Sequence, residues 1–265
     1  MKPLSECPKA TLAAIRGVLT DIDETVSTDG RLTAVAYGAL EALKEAGLLV
    51  IPVTGRPAGW CDMVARFWPV DAVVGENGAF WMWHDPAVGK LRTRFVQSEA
   101  ERLDGRRRLE AVRADVLREV PGAGIASDQP YRLADLAVDF CEDVAPLPRA
   151  DIERIVAIFE RHGAHAKVSS IHVNGWFGDY DKLTTSRAMM AELFGVDLGR
   201  GAERYVFSGD SPNDSPMFGF FPNGVGVANV RDFAGAMTDL PRWVTQARSG
   251  AGFVELAHAL IAARS

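Results

Sequence analysis

The sequence predicts an α/β fold: a Rossmann-like parallel sheet with helices on both faces, plus an inserted α+β unit. Three observations predict it. Short runs at residues 17–23, 48–53 and 204–207 are apolar nearly throughout and alternate with helical stretches, as expected for parallel strands covered on both faces. Polar clusters stand directly after these runs, where an open α/β sheet gathers its functional groups. The alternation breaks after Phe80 and resumes after Phe177.

In chain order, residues 17–23 read as a strand that runs into acids. Residues 32–46 read as a helix, with Leu32, Val35, Ala36, Ala39, Leu40 and Leu43 on one face and Gly47 as its stop. A second buried strand at 48–53 ends in Thr54-Gly55-Arg56-Pro57; a helix at 58–67 and a strand at 71–74 follow. Trp81 and Trp83 alternate as packed strand residues do. A charged helix is expected at 98–119, then a loop at 121–130, a strand at 136–140, a helix at 149–163 and a strand at 167–173. The final stretch reads as a helix at 182–194, strands at 204–207, 224–228 and 243–246, and a helix at 252–263. The expected division is a core of residues 1–80 and 178–265 with an α+β cap at 81–177.

Length and composition bound the function. A chain of 265 residues, 48% hydrophobic and 24% charged, has ordinary globular composition and length for one large or two smaller domains. A mild net charge of -6 gives no support for nucleic-acid binding, and none is expected. Arg102, Arg106, Arg107, Arg108 and Arg113 are interleaved with acids and read as a solvated helix face. No apolar run reaches membrane-spanning length. The first ten residues carry Lys2, Glu6 and Lys9 and lack the apolar core of a signal peptide. Cys7, Cys61 and Cys141 are odd in number and widely spaced, as in reduced thiols. The expectation is a cytoplasmic protein with no membrane and no obligate protein partner.

Four polar clusters fall at the ends of expected core strands or the start of a helix beside them: Asp21 with Asp23, Thr54 with Gly55, Lys182, and Gly209-Asp210-Ser211-Pro212-Asn213-Asp214. Residues two apart on an extended chain face the same way, so Asp21 and Asp23 can share one site. Four carboxylates in one cleft repel one another; two unit charges at 4 Å interact at about 4 kcal/mol with an effective dielectric of 20. A divalent cation relieves this, and a hard, all-oxygen donor set suits Mg²⁺. Thr54, nearby backbone N–H groups and Lys182 then supply donors to a phosphoryl group. Taken singly, Asp-x-Asp can be a turn, Thr54-Gly55 a capped strand-to-helix turn, and Lys182 an exposed helix-terminal lysine, with Lys167 as the alternative cation.

The set Asp21-Ile22-Asp23-Glu24-Thr25, Thr54-Gly55-Arg56, Lys182 and Gly209-Asp210-Ser211-Pro212-Asn213-Asp214 resembles the four motifs of the haloacid dehalogenase (HAD) superfamily. The insertion after the second motif, and Gly75-Glu76-Asn77-Gly78-Ala79, look like its Cof-type, sucrose-phosphate-phosphatase-like branch, which includes phosphatases of sucrose, trehalose and mannosylglycerate phosphates. The resemblance implies a phosphomonoester hydrolase acting on a small phosphorylated sugar or related metabolite. It implies Asp21 as nucleophile, Asp23 as acid/base, and Thr54, Gly55 and Lys182 around the phosphoryl group. Mg²⁺ would be held by Asp21, the Asp23 carbonyl and Asp210, with Asp214 behind them and Asn213 orienting the loop. Two departures stand out: Glu24 occupies a position that is often Gly, and Leu183 follows Lys182 where Gly is usual.

Other residues have two readings. Glu76 and Asn77 are either substrate-proximal or a plain turn. His172, Asn174 and Trp176 form either a polar face reading a sugar or a solvated strand end. Arg132 is a candidate for a second anionic group. The same motifs also permit a phosphosugar mutase, as in phosphomannomutase-like enzymes, or a non-enzymatic phospho-Asp signalling module; Asp23 argues against the latter, because an acid/base beside the phosphoaspartate shortens its life.

Overall fold

Successive residues of the core strands belong alternately to two hydrophobic clusters, which explains why these strands carry no polar face. Val18, Val50 and Val206 pack with Leu40, Leu43 and Phe253. Leu19, Ile51 and Phe207 pack with Met189, Met190 and Phe218 on the other side. Each fully buried side chain of this size contributes roughly 1.5–3 kcal/mol. The computed structural model describes residues 1–169 and 171–264.

Among the described residues, the core sheet runs Lys2–Pro3, Trp243–Val244, Val225–Gly226, Tyr205–Gly209, Gly17–Thr20, Leu49–Pro52, with every neighbouring pair parallel. Helices Ala34–Glu45 and Ser249–Ala262 cover one face, and Lys182–Phe194 and Ser215–Phe220 the other. This is the expected Rossmann-like arrangement. Strands Gly17–Thr20 and Tyr205–Gly209 lie side by side in the same direction, so Asp21 and Asp210 leave the sheet from adjacent ends. None of the described helices is long and apolar enough to cross a membrane.

The details depart from expectation in several places. The first long helix begins at Ala34, because the Thr33 hydroxyl caps it by accepting the Ala36 N–H at 3.3 Å. Leu32 therefore precedes the helix, and Val35 is 65% exposed on the solvent side. The strand expected at 71–74 is Val73–Gly75, which pairs with a hairpin, Phe80–Asp85 and Lys90–Phe95. The second arm of that hairpin was not expected, because its apolar positions are diluted by Lys90, Arg92 and Arg94.

A separate four-stranded antiparallel sheet runs Gly124–Ile125, Asp135–Asp139, His172–Trp176, His165–Val168. Helices Glu99–Glu119 and Arg149–Arg161 cover one face with Leu109, Val112, Val116, Ile155, Ile158 and Phe159. Leu136, Val138 and Val173 point to these helices. By the two-residue period, Asp135, Asp139, His172 and Asn174 point the opposite way. The single strand expected at 167–173 is two strands; residue 170, within that span, lies outside the described residues. Ser169 turns the chain: its N–H and hydroxyl both donate to the His172 carbonyl (2.8 and 3.0 Å), and its oxygen accepts the His172 N–H.

Candidate active site

Asp21 extends its strand by one residue, its N–H donating to the Ser208 carbonyl at 2.8 Å. The residue is 4% exposed, and its carboxylate accepts the Ile22 N–H at 2.9 Å. Carboxylate oxygens of Asp21, Asp210 and Asp214 lie within 4.8 Å of one another. Lys182, the first residue of its helix, reaches between them: Nζ is 3.3 Å from Asp21 Oδ1 and 2.9 Å from Asp214 Oδ1. Lys167 is exposed on strand His165–Val168 and makes no ion pair among the described residues.

The loop after Tyr205–Gly209 holds its acids by hydrogen bonds. Asp214 Oδ2 accepts the Asp210 N–H (3.0 Å) and the Ser211 N–H (3.4 Å). Asp210 accepts from the Thr25 hydroxyl (3.2 Å) and from Asn229 Nδ2 (3.1 Å). Asn213 accepts from the Ser211 hydroxyl at 2.8 Å and borders the cleft. Asn229 was not foreseen, although it follows the short strand Val225–Gly226 and the same strand-end argument reaches it.

Electrostatics set this cluster apart. Burial pushes the Asp21 carboxyl up to about 7; Lys182 opposes that rise, while Asp214 and Asp23 add to it. Burial, Asp214 and Asp21 push Asp210 well above the usual carboxylate range. Burial alone would lower Lys182, but Asp21 and Asp214 overcome it and hold the ammonium charged. One cation thus faces three buried carboxylates. A further hard cation fits this donor set, as the all-oxygen chemistry of Mg²⁺ requires.

Asp23 lies outside the three-carboxylate group. Its two oxygens are gripped by Arg56, with Nε at 3.0 Å from each and Nη2 at 2.8 Å from Oδ1. Arg56 also reaches Glu142 at 3.3 Å and Asp128 at 3.5 Å, and its guanidinium lies over the Trp60 ring. Glu142 in turn meets His172 Nε2 at 2.9 Å. That contact, with Arg56, pulls the Glu142 carboxyl down to about 2. The side chains of Arg56 and Glu142 escaped the sequence reading, since nothing local ties two residues this far apart in the chain.

The remaining candidates divide. The Thr54 hydroxyl accepts the Arg56 N–H at 3.0 Å and keeps its own proton to donate; Gly55 lines the cleft with Asp21 and Asp23. His172 and Asn174 are buried and line the same cleft, with Asn174 Nδ2 donating to Asp135 at 3.1 Å. Trp176 is buried, stacks on Tyr180 and donates to its carbonyl, so its ring is taken up in packing. Arg132 also lines this cleft, and its guanidinium is engaged by Asp128, Asp135 and the Gly55 carbonyl. Glu76 is fully buried, and its carboxylate accepts the N–H groups of Ala58, Leu133, Ala134 and Asp135. It fastens one loop to another rather than facing the cleft. Asn77 sits beside Gly55 in left-handed backbone, φ +54°. Glu24 turns away from Asp21 to accept from the Gly30 N–H and the Ser249 hydroxyl.

No protein-family model matches the chain, and no match is found among curated proteins. Solved structures do match it. The C-terminal domain of trehalose-6-phosphate phosphatase from C. albicans is 12% identical, with a TM-score of 0.74, over 99% of this chain and 98% of that one. A protein from Plasmodium vivax described as a HAD/COF-like hydrolase is 16% identical, TM-score 0.67, over 96% and 99%. The sucrose-phosphatase of Synechocystis sp. PCC6803, solved with sucrose and phosphate, is 15% identical, TM-score 0.63, over 94% and 98%. The chain therefore has the fold of these solved structures along nearly its whole length.

Proposed function

We propose that this protein is a Mg²⁺-dependent phosphomonoester hydrolase of the HAD type, working through an aspartyl phosphate on Asp21. The observation that carries the reading is the buried group of Asp21, Asp210 and Asp214 bridged by Lys182, with Asp23 on the same cleft. Asp21, Asp210 and the Asp23 carbonyl would hold the metal, and Asp214 would steady Lys182 and the Asp210 loop. When bound, Mg²⁺ supplies charge neutralisation to the phosphoryl oxygens and to the carboxylates around them.

The residues of the chain then divide the work. Asp21 attacks phosphorus; its bond forms as the ester P–O bond breaks, and the leaving oxygen takes a proton from Asp23. Asp23, now anionic, takes a proton from a water that attacks the phosphoaspartate, which returns Asp21 and inorganic phosphate. Thr54, Gly55 and Lys182 hold the phosphoryl oxygens, and positioning with charge stabilisation supplies most of the rate. In this reading residues 81–177 form a cap over a core of residues 1–80 and 178–265, excluding bulk water during the reaction.

A small phosphorylated sugar or related metabolite is the substrate class we favour. The polar strand face of His172 and Asn174 across the cleft from Asp21 supports it, and so do the trehalose- and sucrose-directed neighbours. The test is release of inorganic phosphate from a panel of sugar phosphates with and without Mg²⁺, with product sugars identified. Mg²⁺-dependent phosphate release that is lost in Asp21→Asn supports the reading. Isomerised sugar phosphate without free phosphate, or turnover indifferent to Asp21, would sink it.

A further inference from the structure

Asn77 combines a turn backbone with a side chain that the turn does not use. Its backbone is left-handed, and its N–H donates to the Thr54 carbonyl at 3.1 Å. The residue is 3% exposed, yet Nδ2 has no hydrogen-bond partner among the described residues. Buried amide donors are nearly always paired, so an orphan beside a cleft points to a ligand atom. A Cβ on Gly55 would stand 3.1 Å from Asn77 Nδ2 and 3.3 Å from its Oδ1. Glycine at 55 thus makes the room in which this amide lies. Asn77 also lines a pocket with Lys182 and Asn213, residues that adjoin Asp21 and its cleft.

The backbone sharpens the point. Glycine adopts the left-handed region at no steric cost, and asparagine is among the few other residues that tolerate it. The turn alone therefore asks for glycine, and the asparagine amide serves something besides the turn.

We propose that Asn77 Nδ2 donates a hydrogen bond to a non-bridging oxygen of the bound phosphoryl group, on the side of Gly55 and Lys182. This rests on the phosphatase reading of the same site. It makes Asn77 a phosphate-binding residue, and the ligand class is a phosphate monoester or its tetrahedral product, inorganic phosphate.

The test uses Asn77→Gly, which removes the donor and keeps the backbone, and Asn77→Asp, which keeps shape and backbone but replaces the donor with an anion. Turnover of an aryl phosphate and calorimetric binding of inorganic phosphate, both with Mg²⁺, are measured below the unfolding temperature of each variant. Asn77→Gly should melt no lower than wild type, lose about 10²-fold in kcat and bind phosphate about tenfold more weakly. Asn77→Asp should bind phosphate more weakly still. Wild-type kcat and phosphate affinity in Asn77→Gly, or undiminished phosphate binding in Asn77→Asp, overturn the assignment. If the wild-type protein neither turns over the ester nor binds phosphate, the phosphatase reading falls first and this one with it.

Discussion

Arg56 holds both carboxylate oxygens of Asp23, at 2.8–3.0 Å, while its other edge reaches Glu142 and Asp128 on the antiparallel unit. The arginine is 6% exposed and the aspartate 22%. One guanidinium thus ties the proposed acid/base to the segment that faces it across the cleft. To exchange a proton with a leaving group, Asp23 has to free an oxygen from this grip.

Arg56→Lys is therefore expected to lower kcat more than it raises KM, because an ammonium cannot reproduce the two-oxygen fork that orients Asp23. Arg56→Ala should also lower stability by about 3 kcal/mol, since it strands Asp23, Asp128 and Glu142 with a common partner gone. Steady-state kinetics on an aryl phosphate and denaturant unfolding check the two parts. Unchanged kcat in Arg56→Lys would remove Arg56 from the mechanism.

The pH dependence of stability follows from Asp21 and Glu76. Each carboxyl is raised by burial to about 7 in the folded chain, above its ordinary value near 4. Between these values the folded state binds more protons than the unfolded state, so stability falls as pH rises from about 4 to about 7. In the metal-free protein, the unfolding midpoint should therefore drop across that window. Mg²⁺ competes with the proton at Asp21, so the stabilisation it confers should grow from pH 6 to pH 8. A Mg²⁺ stabilisation that shrinks as pH rises would contradict the assignment of the metal to these carboxylates.

Glu76 and the loop it fastens give a stability prediction separate from chemistry. Removing its carboxylate strands four backbone N–H groups, at about 1–3 kcal/mol for each left unsatisfied. Glu76→Gln places an amide N–H₂ against those donors, and Glu76→Ala leaves them empty. Both variants should lower the unfolding midpoint, with Glu76→Ala costing at least about 3 kcal/mol. A Glu76→Ala protein as stable as wild type would show that this buried anion is not what fastens residues 133–135 to the turn after Val73–Gly75.

Much of this was legible in the sequence because it is local. Uniformly apolar runs reveal strands covered on both faces, and the polar residues that follow them mark one sheet edge, which brings Asp21, Asp210 and Asp214 together. The hairpin arm Lys90–Phe95 was hidden by its charges, and the reversal at Ser169 by two short strands of similar character. The Arg56–Glu142–His172 chain was illegible, because its members come from three separate loops and strands that only tertiary packing joins. The loop that Glu76 supports was hidden for a different reason: its partners are backbone N–H groups of residues 133–135, which carry no side-chain signature.

In the proposed mechanism Asp21 carries the phosphoryl group, and trapping that phosphoenzyme decides whether it does. Asp23→Asn, which on the proposed mechanism slows hydrolysis of the intermediate, is mixed with an aryl phosphate and Mg²⁺, acid-quenched and examined by peptide mass spectrometry. One added phosphoryl group is expected on the tryptic peptide spanning residues 17–31, assigned to Asp21 and missing when Asp21→Asn is introduced as well. Turnover by the wild-type enzyme with no phosphoryl group on that peptide in Asp23→Asn, or with full activity retained in Asp21→Asn, would contradict it.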